Sequence, residues 1–104
     1  MRWYERLYVG EKAKKRRHTI IRSIRKNEAS GYYVLTPPSN EKNILDMYPM
    51  FTLCQPYYEE KEPYIIGVAE DYGDAARLAG RIIEEMYRKT GAFRLEEFLS
   101  QRVK

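Results

Sequence analysis

The sequence predicts a small α+β domain that spans residues 1–104. Its length is that of one ordinary domain, two stretches place apolar residues at helical spacing, and three short runs are rich in aromatic and β-branched residues. We therefore expect a three-stranded, at least partly antiparallel sheet packed against a basic N-terminal helix and a long C-terminal helix, with short accessory helices.

The N-terminal part of the chain contains the first elements. Residues 2–9 mix aromatic, aliphatic and charged side chains at a spacing that fits either a helical turn or a short strand ending at Gly10. Over residues 11–26 the apolar residues recur with a helical period and share one face, opposite the bases. The residues on that apolar face are Ala13, Arg17, Ile20, Ile21 and Ile24. We predict a basic amphipathic helix over this stretch.

Three strands are predicted from the middle of the chain. Residues 31–36 and 50–54 are rich in aromatic, aliphatic and β-branched side chains, which favour strands. Residues 63–69 form the third strand, and their nearly unbroken apolar run indicates a central strand that is buried on both faces.

The connections between these strands are assigned from capping and turn residues. Ser39 or Asn40 is placed to cap a short helix that runs through Tyr48, and Pro49 is expected to end it. Residues 55–62 are polar and acidic, so we expect an exposed loop there.

The strongest helical pattern lies in the C-terminal third. Asp71 is placed to cap a long helix, Gly91 is suited to end it, and Phe93 can make the hydrophobic contact that often follows such a glycine. A final short helix is expected to pack against the core through its apolar residues. The apolar stripe of the long helix contains Tyr72, Ala75, Ala76, Ala79, Ile82, Ile83 and Met86, and that of the short helix contains Leu95, Phe98 and Leu99.

Positive charge is concentrated at the N-terminal end. Residues 1–26 carry ten Lys and Arg against two Glu, whereas residues 27–104 carry nine bases against thirteen acids. A row of basic side chains along a helix supplies contacts to phosphates. The sequence thus predicts a small accessory or regulatory protein that binds nucleic acid weakly through residues 12–26. The predicted contact residues are Lys12, Lys14, Lys15, Arg22, Arg25 and Lys26.

Other interpretations of these features stay open. A charged outer face is also typical of a helix that simply faces solvent. The alternative function is a protein–protein interaction module without enzymatic activity, because tyrosines such as Tyr32, Tyr33, Tyr57 and Tyr58 suit a protein contact as well as base stacking. The oppositely charged ends can pair within one chain or between chains, and we expect a homodimer.

Residues that could support catalysis or bind a cofactor are few. His18 is the sole histidine, which excludes histidine-dependent triads and multi-histidine metal sites within one chain, and we expect it to face solvent. Cys54 is expected to be a buried, inert thiol. The glycines at 67, 73 and 80 match no phosphate-binding loop, so Gly67 and Gly80 are interpreted as positions of close packing. We predict no enzymatic activity, no metal and no cofactor.

The sequence also predicts a cytoplasmic protein without membrane contact. Its apolar runs reach four or five residues, whereas a membrane-spanning helix needs about 20. The first residues show no secretory signal pattern, and one cysteine cannot form an internal disulfide.

Arg17 lies on the predicted core face of the basic helix. We expect its guanidinium to meet a carboxylate of the C-terminal helices, because an unpaired buried charge is costly. The candidate partners are Glu84, Glu85, Glu96 and Glu97. If the helix begins later than drawn, Arg17 belongs instead to the exposed basic surface.

Overall fold

A mixed four-stranded sheet lies between two layers of helices in the computed structural model, which describes residues 2–26, 28, 31–53, 55 and 62–103. The strands, in the spatial order β1-β4-β2-β3, are β1 (Arg2–Val9), β2 (Tyr33–Thr36), β3 (Asp46–Pro49) and β4 (Tyr64–Ala69). The helices are a 3-10 helix (Lys14–Arg16), α1 (Arg17–Arg25), α2 (Met50–Leu53), α3 (Tyr72–Thr90) and α4 (Leu95–Val103). The predicted α+β class is confirmed, with four strands in place of three.

β4 is one of the two inner strands of the sheet. It pairs in parallel with β1 and antiparallel with β2, which in turn pairs antiparallel with β3. Ile65, Ile66, Val68 and Ala69 are fully buried, so the predicted central strand is confirmed. Residues 2–9, which the sequence allowed as either a helical turn or a short strand, form the strand β1.

Each face of the sheet carries its own apolar cluster. On one face, Tyr4 and Tyr8 of β1 pack with residues of α3 and α4, including Ile82 and Phe98. On the other face, the core is built by β-strand residues together with α1 and α2. The buried members of that second cluster are Val9, Ala13, Ile20, Ile24, Val34, Met50, Leu53, Ile65 and Val68.

Two predicted elements are wrong, and both lie around β3. Residues 39–48 form a loop and the strand β3 rather than a short helix. The Asp46 carboxylate accepts hydrogen bonds from the Ser39 amide and the Tyr48 hydroxyl, both at 2.9 Å, which hold the loop against the strand. Pro49 ends β3 at the sheet edge, where a missing amide donor is tolerated. We expected a helix here because Ile44, Leu45 and Tyr48 also fit a helical spacing.

The predicted strand at 50–54 is a helical turn over the residues that the structure describes. Met50 and Leu53 of α2 are both buried, a spacing of three that a helix satisfies and that alternation along a strand does not. Cys54 and most of the expected acidic loop, including Tyr57 and Tyr58, lie outside the described residues.

The predicted ends of the long helix α3 are confirmed. Asp71 caps its N-terminus, since its side chain accepts the Asp74 amide at 2.8 Å. Gly91 ends it in the left-handed region at a φ of 72°, and the Phe93 ring packs against Tyr87 with centroids 5.3 Å apart. The short helix α4 also forms, and its three predicted apolar residues are buried.

The two glycines interpreted as close-packing positions behave differently. A Cβ atom on Gly67 would lie 3.3 Å from a buried Leu78 methyl group, so the close approach predicted for this glycine is confirmed. Gly80 is exposed, and a Cβ there would meet nothing within 4 Å. The prediction for Gly80 is therefore wrong, because this face of α3 points to solvent.

Candidate nucleic-acid interface

Helix α1 covers one face of the sheet and turns its basic face to solvent. Ile20 and Ile24 are fully buried against the sheet. His18, Arg22 and Arg25 follow at spacings of three and four residues on the opposite side, and all are exposed. No acidic residue occurs in α1, so the predicted basic amphipathic helix is present, although it begins at Arg17.

The C-terminal half of this surface holds three of the predicted contact residues together. Arg22, Arg25 and Lys26 are exposed, and neither Arg22 nor Lys26 makes an ion pair with the part of the chain that the structure describes. The Arg25 guanidinium lies over the Trp3 ring, 5.4 Å from its centroid. Stacking on an aromatic face leaves the N–H groups at the edge of a guanidinium able to bind phosphate.

The N-terminal half of the basic segment faces an acidic corner of the fold. The parallel strands β1 and β4 end side by side, so the turn after β1 lies next to the turn that leads into α3. Lys12 pairs with Asp71 at 2.9 Å, and Arg16 pairs with Glu70 at 2.7 Å. The expected pairing between the basic end and the acidic body thus occurs within one chain.

Glu11 binds two further cations at this corner. Its Oε1 atom lies 2.9 Å from both Lys14 Nζ and an Arg81 guanidinium nitrogen. The hydrogen bond from Lys14 is the main reason why the pKa of Glu11 is lowered. The pKa of Asp71 is also lowered, first by the Asp74 amide and then by Lys12. These carboxylates therefore stay charged at neutral pH and neutralise Lys12 and Lys14.

The six predicted contact residues consequently fall into two groups. Lys12 and Lys14 are paired with carboxylates, whereas Lys15, Arg22, Arg25 and Lys26 are exposed without a carboxylate partner among the described residues. We call the second group the α1 stripe; Lys15 belongs to the 3-10 helix before α1 and borders the acidic corner, and the other three lie along α1 and at its end. Exposed ion pairs contribute only about 0–1 kcal/mol to stability, so the pairs of Lys12 and Lys14 are weak in themselves. The carboxylates of the acidic corner nevertheless repel a polyanion from the N-terminal end of the basic segment. The α1 stripe is therefore the part of the segment suited to phosphate.

Arg17 is exposed, and the expected ion pair with the C-terminal helices is absent from the described residues. Three of the four expected partners pair instead with bases three or four residues away in the sequence. Those pairs join Glu84 to Arg88, Glu85 to Lys89 and Glu97 to Arg94. The helical spacing counted from Ala13 placed Arg17 on the core face, and this placement is wrong. The residues before α1 form a 3-10 helix with about three residues per turn, so Arg17 points in a different direction from the one that a continuous α-helix would give it. Four consecutive bases at a helix start, where the macrodipole disfavours them, are the sequence signal for this late beginning.

The remaining candidate residues do not converge on a catalytic arrangement within the described part of the chain. His18 is exposed on α1, as expected. Tyr32 and Tyr33 are both half-buried and pack on opposite faces of the sheet. Tyr32 also accepts a hydrogen bond from Arg16, at 2.6 Å.

Among the described residues there is no group of three or more His, Cys, Asp or Glu that could hold a metal ion. Their helices include none that is long and apolar enough to cross a membrane. No family model, curated protein or solved structure matches the chain.

Proposed function

We propose that this protein binds nucleic acid weakly, through phosphate contacts of the α1 stripe. The observation that carries the proposal is an exposed helix face with bases and no carboxylate, presented on an element whose other face is anchored in the core. From His18 to Lys26 this face is about 12 Å long, which matches about three successive phosphates of one strand at about 3.4 Å of duplex axis each.

The stripe supports sequence-independent binding. Lysine and arginine contacts to phosphates give affinity and position, but they do not read bases. Three or four neutralised phosphates correspond to a slope of roughly −3 in the logarithm of the binding constant against the logarithm of salt concentration. Binding of this kind is weak at physiological salt and strong only at low salt.

Fluorescence anisotropy with labelled duplex and single-stranded oligonucleotides, each over a series of salt concentrations, tests the proposal. We expect the double variant Arg22→Gln/Lys26→Gln to reduce the slope by roughly 0.9 for each contact removed. Arg88→Gln is the matched control, because it removes an exposed base of α3 whose partner is Glu84. Absence of binding at low salt would refute the proposal, as would equal effects of the control and the double variant.

A protein-facing surface is the alternative function, and exposed aromatic side chains favour it. Phe51, Tyr72, Tyr87 and Phe93 are each more than half exposed. Aromatic residues are enriched in protein interfaces, and a second copy of the chain is the partner we propose for this alternative. Light scattering at high protein concentration tests it, since a mass near 12.5 kDa, that of one chain, contradicts a homodimer.

The proposed activity is binding without catalysis, in the cytoplasm. The solvent-facing position of His18, without a carboxylate to orient it among the described residues, supports the absence of a proton-transfer role. A single cysteine supports a reducing compartment, because no disulfide can form within one chain.

A further inference from the structure

A second concentration of positive charge lies at the open edge of β1, outside the α1 stripe. Here the end of β1, the 3-10 helix, the start of α1, the middle of α3 and the end of α4 surround a cavity of about 540 Å³. We call it the β1-edge pocket. Its polar lining consists of Tyr8, Lys14, Arg17, Arg81, Glu85 and Arg102.

The Tyr8 hydroxyl is the least ordinary group in this pocket. Tyr8 is only 6% exposed, and its buried hydroxyl has no hydrogen-bond partner among the described residues. Burial raises the pKa of this hydroxyl well above its usual range, and the charged side chains that influence it are Arg102, Glu85 and Arg81. The group is therefore a neutral donor that stands among the charged residues of the pocket. A buried hydroxyl without a partner is costly, so it points to an acceptor supplied from outside the chain.

The cations around Tyr8 outnumber the carboxylates. Arg17 makes no ion pair with the described residues, and the Arg102 guanidinium lies over the Tyr8 ring, 3.8 Å from its centroid. Lys14 and Arg81 share the single carboxylate of Glu11. With Glu85 counted as well, four bases face two acids, and the pocket keeps a net positive charge.

Three of the four bases are arginines, whose planar guanidinium groups match the oxygens of a phosphate in pairs. Arg17 and Arg81 are exposed and can turn to admit a ligand oxygen, whereas Arg102 is half-buried and donates a hydrogen bond to the Arg6 carbonyl at 2.9 Å. The cavity volume falls within the range of small-molecule sites, so it accommodates more than a phosphate ion alone. Leu7 and Val9 add apolar surface beside the charged groups.

We propose that the β1-edge pocket binds the phosphate group of a phosphate monoester, with the Tyr8 hydroxyl as hydrogen-bond donor and Arg17, Arg81 and Arg102 as charge partners. The monoester is either a free small molecule or the terminal phosphate of a nucleic-acid strand. This site is distinct from the α1 stripe, and it does not require the proposed nucleic-acid binding.

Isothermal titration calorimetry at constant ionic strength tests the site. The probes are inorganic phosphate, adenosine 5′-monophosphate and adenosine, together with one oligonucleotide in 5′-phosphorylated and 5′-hydroxyl forms. We expect the monophosphate to bind and adenosine not to bind. If the terminal phosphate of a strand is the natural ligand, the phosphorylated oligonucleotide binds more tightly than both its hydroxyl form and the free monophosphate.

Three variants separate this pocket from general attraction between charges. Tyr8→Phe is expected to lower affinity for the monophosphate roughly tenfold or more, because it removes a hydrogen bond to a charged group. The same variant should leave the melting temperature unchanged or higher, since the lost hydroxyl has no partner in the described structure. Arg17→Gln is expected to weaken monophosphate binding, whereas Arg22→Gln, the same change on the same helix, affects only binding to duplex.

Two results would overturn the proposal. One is the absence of binding by the wild-type protein to the monophosphate and to the phosphorylated oligonucleotide end. The other is an unchanged affinity of Tyr8→Phe for the monophosphate combined with equal losses of that affinity in Arg17→Gln and Arg22→Gln. That result indicates general attraction between charges and no specific site. Neither result bears on the α1 stripe, which is measured by the salt dependence of duplex binding.

Discussion

Replacing Asp74 by alanine is expected to destabilise the protein by about 3 kcal/mol. Asp74 is 1% exposed, and its carboxylate accepts the Lys12 amide at 3.2 Å and the Glu70 amide at 3.0 Å. It therefore joins the turn after β1 to the turn before α3. Each hydrogen bond to a charged group contributes about 1.5–3 kcal/mol, and we use the lower value because the substitution also relieves the desolvation of the carboxylate.

Asp71→Ala is the matched control for this measurement. It removes an aspartate from the same turn, but one whose side chain is 46% exposed and whose role is to cap α3. Loss of an N-cap costs about 1 kcal/mol. Urea denaturation followed by circular dichroism and by tyrosine fluorescence should thus show a clearly larger loss for Asp74→Ala.

Gly10 provides an independent test of the same contact. A Cβ atom at this position would lie 2.2 Å from Asp74 Oδ2, so Gly10→Ala must displace the carboxylate. In the Asp74→Ala background that obstacle is gone, and the added methyl group should cost much less. We expect a coupling of roughly 1–3 kcal/mol in the double-mutant cycle. Additive effects, or an Asp74→Ala loss no larger than that of Asp71→Ala, would refute this account of the corner.

Two further predictions concern glycine positions and pH. Gly80→Ala should raise the free energy of unfolding by about 0.5–1 kcal/mol, because the site is helical and a Cβ atom there meets open space. Gly67→Ala should lower the free energy of unfolding by roughly 1–3 kcal/mol, because the added methyl group overpacks the core. Urea denaturation measures both changes. Burial acts to raise the pKa of Asp46, but hydrogen bonds from three neighbours outweigh it and lower the pKa. Asp46→Asn should therefore destabilise the protein at pH 7. The difference from wild type should begin to shrink near pH 4, the ordinary range of an aspartate, and continue to shrink as the pH falls through the lowered pKa of the folded state. A difference that is as large at about pH 2 as at pH 7 contradicts this.

Some elements could be predicted because the information lies within a few residues. In α3, a capping aspartate, a sustained apolar stripe and a terminal glycine all indicate the same helix. In β4, an apolar run of strand length is sufficient, since burial on both faces needs no alternation.

The region around β3 could not be predicted because distant contacts decide its structure. Ile44, Leu45 and Tyr48 fit a helical turn, but Met47 and Tyr48 pair with Leu35 and Val34 of β2. That antiparallel pairing is not visible in the local spacing. The same holds for α2, whose short apolar run fits either a strand or a helical turn in the sequence; only the burial of Met50 and Leu53 in the fold distinguishes the two.

The candidate interface could be predicted only in part for the same reason. Which face of α1 points outward follows from its isoleucines. However, the partners of Lys12 and Arg16 lie 59 and 54 residues further along the chain, at the end of a strand that happens to be parallel to β1. No spacing rule links such residues, so the division of the basic segment into a paired half and an exposed half appears only in the fold.

The preference for a side-chain cap and acidic residues at a helix start is obeyed in α3 and broken in α1, and this contrast supports the proposed role of the basic segment. Helix α3 has acidic residues at its start and Arg88 and Lys89 at its end, as the macrodipole favours. Helix α1 has no side-chain cap and no acid in its first turn, and its first residue, Arg17, ends a run of four bases that begins at Lys14 in the 3-10 helix. Each misplaced charge costs about 0.3–1 kcal/mol. The two surfaces on this segment are the α1 stripe and the β1-edge pocket. An anion bound at either one is attracted by bases that repel one another and the helix start in its absence. The unfavourable run of bases therefore lies where we propose that phosphate binds.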